Sequence, residues 1–87
     1  MGIRQFWRDY SLVMRSKQRK IVIRVMNTPR TVTEIKKRIN LGLSETSRVL
    51  RTFKDQGLAE CLNPKDTLGR VYQLTKRGKL VKEKIEN

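Results

Sequence analysis

The chain has 87 residues, which limits it to one small domain with a modest core. Lysine and arginine number 21 against 8 acidic residues, and the formal net charge is +13. Because so high a charge destabilises a compact chain through self-repulsion, it indicates a polyanionic partner. The longest apolar runs are three residues long, too short for a helix that crosses a membrane.

The residue types present exclude several kinds of chemistry. The chain has no histidine, which excludes histidine acid–base catalysis and histidine metal sites. Its one cysteine, Cys61, cannot form an internal disulfide, and we expect it to be a small structural side chain. The sequence has neither clustered carboxylates nor a glycine loop that could cradle phosphate, so we expect no enzyme activity, no metal and no cofactor.

The first helical pattern covers residues 3–14. Its spacing forms one stripe of large apolar side chains, which are Ile3, Phe6, Trp7, Tyr10, Val13 and Met14. This helix either packs on its own domain or pairs with a second copy of the chain. We favour the second copy, because small domains often gain burial by forming oligomers. We therefore expect residues 1–15 to form an extension that contacts a partner, followed by a domain over residues 16–87.

Capping residues mark the next two helices. Ser16 is a predicted N-cap, and the helix that follows it stops at Asn27-Thr28-Pro29, because the residue before a proline avoids the α region. Thr31 and Glu34 have the spacing of a capping box, in which each residue bonds the backbone of the other. The helix that this box begins is predicted to run to about Ile39.

A glycine-containing turn separates that helix from a fourth one. Ser44 is its predicted N-cap, and it ends near Gln56, where Gly57 can adopt the left-handed conformation. Two short segments follow, residues 58–62 and 70–74, separated by turn-forming residues that include Lys65, with Arg70 directly after them. This pattern predicts a hairpin with a long, basic tip.

A final helix closes the chain. Thr75 is its predicted N-cap, and it extends over residues 76–86. Its apolar side chains are Leu80, Val81 and Ile85. We expect this helix to meet the N-terminal one in a two-fold interface formed by Ile3, Phe6, Trp7, Tyr10, Leu80, Val81 and Ile85.

Two short helices joined by a turn and followed by a basic hairpin are typical of a winged helix-turn-helix. The fold class is therefore mainly α with a small β-hairpin (α+β), with an extra N-terminal helix. In this architecture the second helix of the pair enters a DNA major groove, where short polar side chains allow close approach and arginine can pair with guanine. The predicted groove-facing residues of helix 44–56 are Ser44, Glu45, Thr46, Ser47, Arg48 and Arg51.

Further basic side chains are predicted to contact the DNA backbone. In the wing, residues 63–70, we expect Lys65 and Arg70 to reach phosphates or the adjacent minor groove. Arg30, Lys36 and Lys37 are additional candidates for phosphate contacts.

Three stretches resemble one protein family. Residues 57–64 and 69–78 resemble the wing and final helix of small archaeal winged-helix transcriptional regulators related to the MarR and ArsR groups. Residues 44–50, SETSRVL, are similar to their recognition helix, and residues 15–19 to the start of their first domain helix. The resemblance covers about residues 10–80. It implies DNA-binding regulation of transcription in an archaeon. It carries over no effector, because metal-sensing relatives use sets of cysteine and histidine ligands and this chain has neither set. The single cysteine indicates an intracellular protein, which we expect to be cytoplasmic and nucleoid-associated.

Three functions in different classes are open at this point. The first is a dimeric regulator that binds double-stranded DNA at a specific sequence. The second is a sequence-tolerant DNA-coating or architectural chromatin protein of the same fold, and the third is a winged-helix module for protein interaction or RNA binding. Residues 1–43 carry 11 basic and 2 acidic side chains, and residues 44–87 carry 10 and 6. Most of the positive charge therefore lies outside the predicted recognition helix and wing. This distribution agrees with the broad contact to the DNA backbone that an architectural protein makes.

Overall fold

Helices and short strands alternate along the chain in the computed structural model, which describes residues 2–87. The elements are α1 (Ile3–Met14), α2 (Lys17–Arg24), β1 (Arg30–Thr31), α3 (Val32–Lys37), α4 (Leu43–Asp55), β2 (Ala59–Cys61), β3 (Val71–Leu74) and α5 (Lys76–Glu86). Mainly α structure with a small antiparallel sheet confirms the predicted fold class. Among residues 2–87, no helix has the combined length and apolar character that a membrane crossing requires.

Local capping side chains start three of the helices where the sequence predicts. The Ser16 hydroxyl accepts a hydrogen bond from the Arg19 backbone N–H, at 3.3 Å. The Thr31 and Glu34 bonds of the capping box are both present, at 3.1 Å and 2.8 Å. The Thr75 hydroxyl accepts from the backbone N–H three residues later, at 3.3 Å. Because each of these bonds joins residues three apart, the sequence is sufficient to predict them.

The start of α4 differs from the prediction. The N-cap is Gly42 rather than Ser44, and the Glu45 carboxylate accepts a hydrogen bond from the Gly42 backbone N–H at 3.3 Å. Glycine is tolerated at an N-cap, and a glutamate at the third helical position satisfies the cap backbone. The Ser44 side chain is therefore not needed as a cap and lies exposed within the first turn.

The sheet has three strands in the order β1-β3-β2, all antiparallel. Cys61 of β2 and Arg30 of β1 both pair with Tyr72 of the central strand. Strand β1 is an addition to the predicted hairpin, because two residues have no alternation that a sequence could reveal. Tyr72 and Leu74 lie buried on one face of the sheet, as their spacing predicts.

The core forms where α2, α3 and α4 meet the sheet, and α1 and α5 pack against it. The apolar side chains that are completely buried are Val13, Val22, Ile23, Ile35, Leu50, Phe53, Leu58 and Val81. The prediction that Val81 lies in a dimer interface is wrong, because α5 directs this side chain into the core of its own chain. Leu80 and Ile85 of the same helix are half-buried.

Helix α1 packs on α5 and α2 of its own chain, which is the arrangement that the sequence analysis did not favour. Asp9 and Val13 face inward and are buried, while Phe6 and Tyr10 are half-buried. The opposite side of the helix leaves Ile3 75% and Trp7 49% exposed. The stripe predicted for α1 is thus divided between a face that packs internally and a face open to solvent.

Gly78, in the first turn of α5, lies against the turn that follows α4. A side chain there would clash with the Leu58 carbonyl oxygen and come within 3.0 Å of Leu74 Cδ2. We expect Gly78→Ala to lower the free energy of unfolding by about 2 kcal/mol or more, because overpacking against backbone exceeds the gain in helix propensity. Urea unfolding followed by circular dichroism measures this change.

Gly2→Ala is the matched control, since a side chain at Gly2 meets nothing within 4 Å. Because Gly2 is the N-cap of α1, where alanine is less favourable than glycine, it should lower the free energy of unfolding by no more than about 1 kcal/mol. Equal stability of the two variants would contradict the close packing of α5 on this turn.

Candidate nucleic-acid interface

Helix α4 has one face in the core and one in solvent, because its apolar residues recur at the helical period. The inward side chains are Thr46, Val49, Leu50 and Phe53. Ser44, Arg48 and Arg51 are exposed, and Ser47 is half-buried. The structure therefore places four of the six predicted groove-facing residues on the accessible side of the helix.

Thr46 and Glu45 differ from the prediction. Thr46 is completely buried, and its hydroxyl donates a hydrogen bond to the Gly42 carbonyl at 2.9 Å. The prediction that it contacts DNA is therefore wrong, because it lies on the core face of the helix. Both Glu45 carboxylate oxygens have internal donors, the Gly42 N–H at 3.3 Å and the Gln18 side-chain amide at 2.5 Å. Glu45 thus fastens the start of α4 to α2, a structural role in place of the predicted contact in the DNA groove.

The wing is held in shape by one asparagine. The Asn63 side-chain oxygen accepts from the Val71 backbone N–H at 2.7 Å, and its amide nitrogen donates to the Gly69 carbonyl at 3.1 Å. Arg70 Nε donates to the Asp66 carbonyl at 2.7 Å, which closes the loop from within. Lys65 is exposed at the end of this ordered loop.

A cleft of about 360 Å³ separates α4 from the wing and the start of α3. Three cationic side chains line it: Arg51, Lys54 and Arg70. The other lining residues are hydroxyl-bearing or without charge, and among the described residues no aspartate or glutamate lines the cleft: Thr31, Val32, Thr33, Leu43, Ser47, Thr67, Leu68, Gly69 and Tyr72. Positively charged side chains around a concave surface raise the local concentration of anions, so the cleft suits a phosphate-bearing ligand.

The lysine in this cleft is a functional candidate that the sequence analysis missed. Ser47, Arg51 and Lys54 recur at intervals of four and three residues, which places them along one side of α4. A shallower concavity beside the cleft is lined by Leu43, Ser44, Ser47, Arg48 and Arg51. Because Arg51 borders both, the two depressions form one continuous surface, which we call the α4–wing face.

The remaining basic candidates lie outside the α4–wing face. Arg30 Nε donates to the Val25 carbonyl at 3.0 Å, and its Nη2 donates to the Asn27 side chain at 3.1 Å. Its guanidinium therefore supports the end of α2. Lys36 and Lys37 are exposed on α3 and line neither depression.

The cap of α3 shapes one wall of the cleft. Hydrogen bonding with Thr31, chiefly from its backbone N–H, lowers the pKa of Glu34 below its usual value of 4.5. Glu34 therefore stays ionised at neutral pH. Its bond to the Thr31 backbone keeps Thr31 and Thr33 at the first turn of α3, where both line the cleft.

Solved structures show which fold this arrangement represents. A MarR family transcription regulator superposes with a TM-score of 0.74 and 19% identity, over 93% of this chain and 56% of that one. HlyU from Vibrio cholerae gives 0.69 and 23%, over 99% and 91% of the two chains. An ArsR family transcriptional regulator gives 0.66 and 17%, over 98% and 88%. The fold is a winged helix.

The chain spans about half the length of the MarR structure, 56% of it, and most of the other two. No protein-family model and no curated protein matches the chain. HlyU comes from a bacterium, and the archaeal source that the family resemblance implies finds no support in these neighbours.

Proposed function

We propose that this protein is a DNA-binding regulator of transcription and that the α4–wing face is its DNA contact. The observation that carries the proposal is the cleft, which Arg51, Lys54 and Arg70 line. The winged-helix structures similar to it are described as transcription regulators, which supports the same role. Duplex DNA is the polyanion that suits an exposed basic helix beside a basic hairpin.

The exposed residues divide between reading bases and holding phosphates. Ser44 and Ser47 are short, so they let the α4 backbone approach the floor of a major groove. Arg48 and Arg51 are long enough to donate to guanine. Lys54 and Arg70, on opposite sides of the cleft, are suited to the phosphates of one strand.

Outside the cleft, Lys65 extends the phosphate contacts along the wing. Lys36 and Lys37 supply lesser ones from α3. Arg30 adds little, because its guanidinium already donates to two internal acceptors.

The proposed active form is a homodimer that reads two half-sites. One winged helix covers only a few base pairs, and a two-fold axis doubles the sequence that is read. The exposed side of α1 offers an apolar surface for the two-fold contact, on which Ile3 is 75%, Trp7 49% and Met14 38% exposed. Trp7 is held edge-on to Phe6 and Tyr10, with ring centroids 5.0 Å and 5.6 Å apart, so it loses little freedom on binding.

A second candidate is a sequence-tolerant architectural protein of the same fold. It is favoured by the 11 basic against 2 acidic side chains of residues 1–43, which lie outside α4 and the wing. Selection of binding sites from random duplex DNA at about 0.15 M salt separates the two candidates, because non-specific attraction is partly screened there. A defined motif supports the regulator, and a flat profile supports the architectural protein.

Salt dependence tests whether the net charge of +13 serves DNA binding. If about five to eight side chains neutralise phosphates, log affinity should fall against log salt concentration with a slope of about −4.5 to −7. Fluorescence anisotropy with a labelled duplex measures this slope. A slope near zero would overturn the proposed function.

Substitutions in α4 test the assignment of base contacts. Arg48→Ala and Arg51→Ala should each weaken binding to the selected site by about 1–3 kcal/mol and relax its sequence preference. Lys54→Ala and Arg70→Ala should weaken binding to all sequences alike, because phosphates carry no sequence. Lys84→Ala, an exposed position of α5 that lines neither depression, is the charge-matched control. An unchanged motif in both arginine variants would show that α4 does not read the bases.

Substitution of Trp7, the exposed aromatic side chain of α1, tests the proposed homodimer. Trp7→Ala should keep the circular dichroism spectrum but weaken self-association by about 2 kcal/mol or more, as measured by sedimentation equilibrium. It should also bind less tightly to a site with two half-sites. Leu62→Ala removes an apolar side chain of similar exposure, 47% against 49%, from another part of the surface and should change neither property. A wild-type chain that stays monomeric at micromolar concentration refutes the dimer.

A further inference from the structure

An ion pair between a buried carboxylate and a partly exposed guanidinium joins the first and last helices of the chain. Asp9 of α1 is 4% exposed, and both of its carboxylate oxygens accept from the Arg77 guanidinium of α5. The Arg77 Nε–Asp9 Oδ2 distance is 2.9 Å, and the Nη2–Oδ1 distance is 2.8 Å. The Gln5 side-chain amide also donates to Asp9, at 2.9 Å. This bidentate geometry fixes the orientation of the guanidinium as well as its position.

The same guanidinium reaches the end of α4. Arg77 Nη2 donates to the carbonyl of Gln56, the C-cap residue of α4, at 3.0 Å. Gly57 follows with a φ of 80°, and a side chain there would lie 2.7 Å from Arg77 Nη1. Glycine therefore both permits the left-handed turn and leaves room for the guanidinium beside it. The Arg77 side chain thus contacts α1, the carbonyl of the C-cap residue of α4 and the turn that leads into β2.

Gln56, whose carbonyl Arg77 holds, is close in sequence to residues that line the cleft. Lys54 and Arg51 lie two and five residues before Gln56, in the last turns of α4. Their partner across the cleft, Arg70, is on the wing, whose first strand begins three residues after Gln56. A shift of the Gln56 carbonyl therefore changes the separation of the cations on the two sides of the cleft.

We infer that Asp9 and Arg77 are positioning residues for DNA reading. Asp9 orients the guanidinium, and the guanidinium fixes the end of α4 relative to the wing. This inference rests on the proposed function and deepens it, because it adds α1 to the machinery that sets sequence preference. Contacts between arginine and base edges depend on exact placement, whereas phosphate attraction tolerates small shifts. Loss of the pair should therefore lower discrimination between sequences more than it lowers affinity for random DNA.

Replacing both Asp9 and Arg77 by apolar residues distinguishes a role in positioning α4 from a role in stability. Removing one partner leaves a buried charge without compensation, which destabilises a protein strongly, whereas replacing both by apolar residues of similar volume is often neutral. The test variant is Asp9→Leu with Arg77→Met. The matched control is Lys82→Met with Glu86→Leu, which likewise removes one basic and one acidic side chain, here from within α5, with a Lys82 Nζ–Glu86 Oε1 distance of 2.8 Å. Both of its residues lie on α5, four positions apart, so this second pair does not join two elements of the fold.

Two measurements are compared in these variants. The first is the ratio of affinities for the selected site and for a random duplex, which should fall about tenfold in the test variant and stay unchanged in the control. The second is hydrogen exchange of the Leu58 amide, which donates to the Phe53 carbonyl at 2.8 Å across the turn. Its exchange should be about tenfold faster in the test variant, with no change for amides of α2.

Each outcome decides the inference. A folded test variant with wild-type discrimination and wild-type Leu58 exchange overturns it, since the pair would then serve packing alone. If the test variant does not fold, Arg77→Lys replaces it, because an ammonium carries its donors on one nitrogen and lacks the planar fork by which Arg77 Nε and Nη2 together contact Asp9 and Gln56. Unchanged discrimination in that folded variant would also overturn the inference. Failure of the wild-type chain to bind DNA refutes the proposed function instead, and Leu58 exchange still reports on the positioning.

Discussion

The close contact between the first turn of α5 and the turn after α4 constrains the rest of the structure. Thr75 donates its backbone N–H to the Leu58 carbonyl at 3.0 Å and its hydroxyl to the Gly57 carbonyl at 2.7 Å. Gly78 then lets the two backbones approach so closely that no side chain fits between them. Since α4 leads directly into β2 and β3 leads directly into α5, this contact sets the angle between α4 and the wing. The cleft between them depends on that angle.

The charge of the protein has two opposite consequences. Within residues 2–87 the ion pairs are Asp9–Arg77 and Lys82–Glu86, so most of the 21 basic side chains have no acidic partner at short range. Their mutual repulsion opposes folding of the free chain, and binding of a polyanion such as the proposed DNA would relieve it. One of the few acidic residues, Asp9, is placed in the interior rather than among the surface cations. With 21 basic against 8 acidic side chains in the whole chain, the surface remains strongly basic.

Local interactions could be predicted from the sequence, and contacts between distant residues could not. The caps at Ser16, Thr31 and Thr75 depend on residues three apart, and the structure confirms them. Strand β1 depends on pairing with residues about 40 positions later in the chain, so its two residues gave no signal. The pairing of Asp9 with Arg77 is similarly distant. One sign was present: Asp9 lies four residues before buried Val13 and so shares its face of α1.

In the candidate site too, the residues that depend on local helical periodicity could be predicted from the sequence. Helical periodicity placed Arg48 and Arg51 on the outer side of α4, and the same periodicity applied one turn further would have found Lys54. The position of α1 explains why these residues cannot be considered alone. Its inner side holds Asp9, which fixes Arg77 and through it the end of α4, while its outer side exposes Trp7. A partner copy seated on that outer side would join a rigid helix already tied to α4. The spacing between two DNA-reading helices would then be set by packing within each chain as much as by the interface between them.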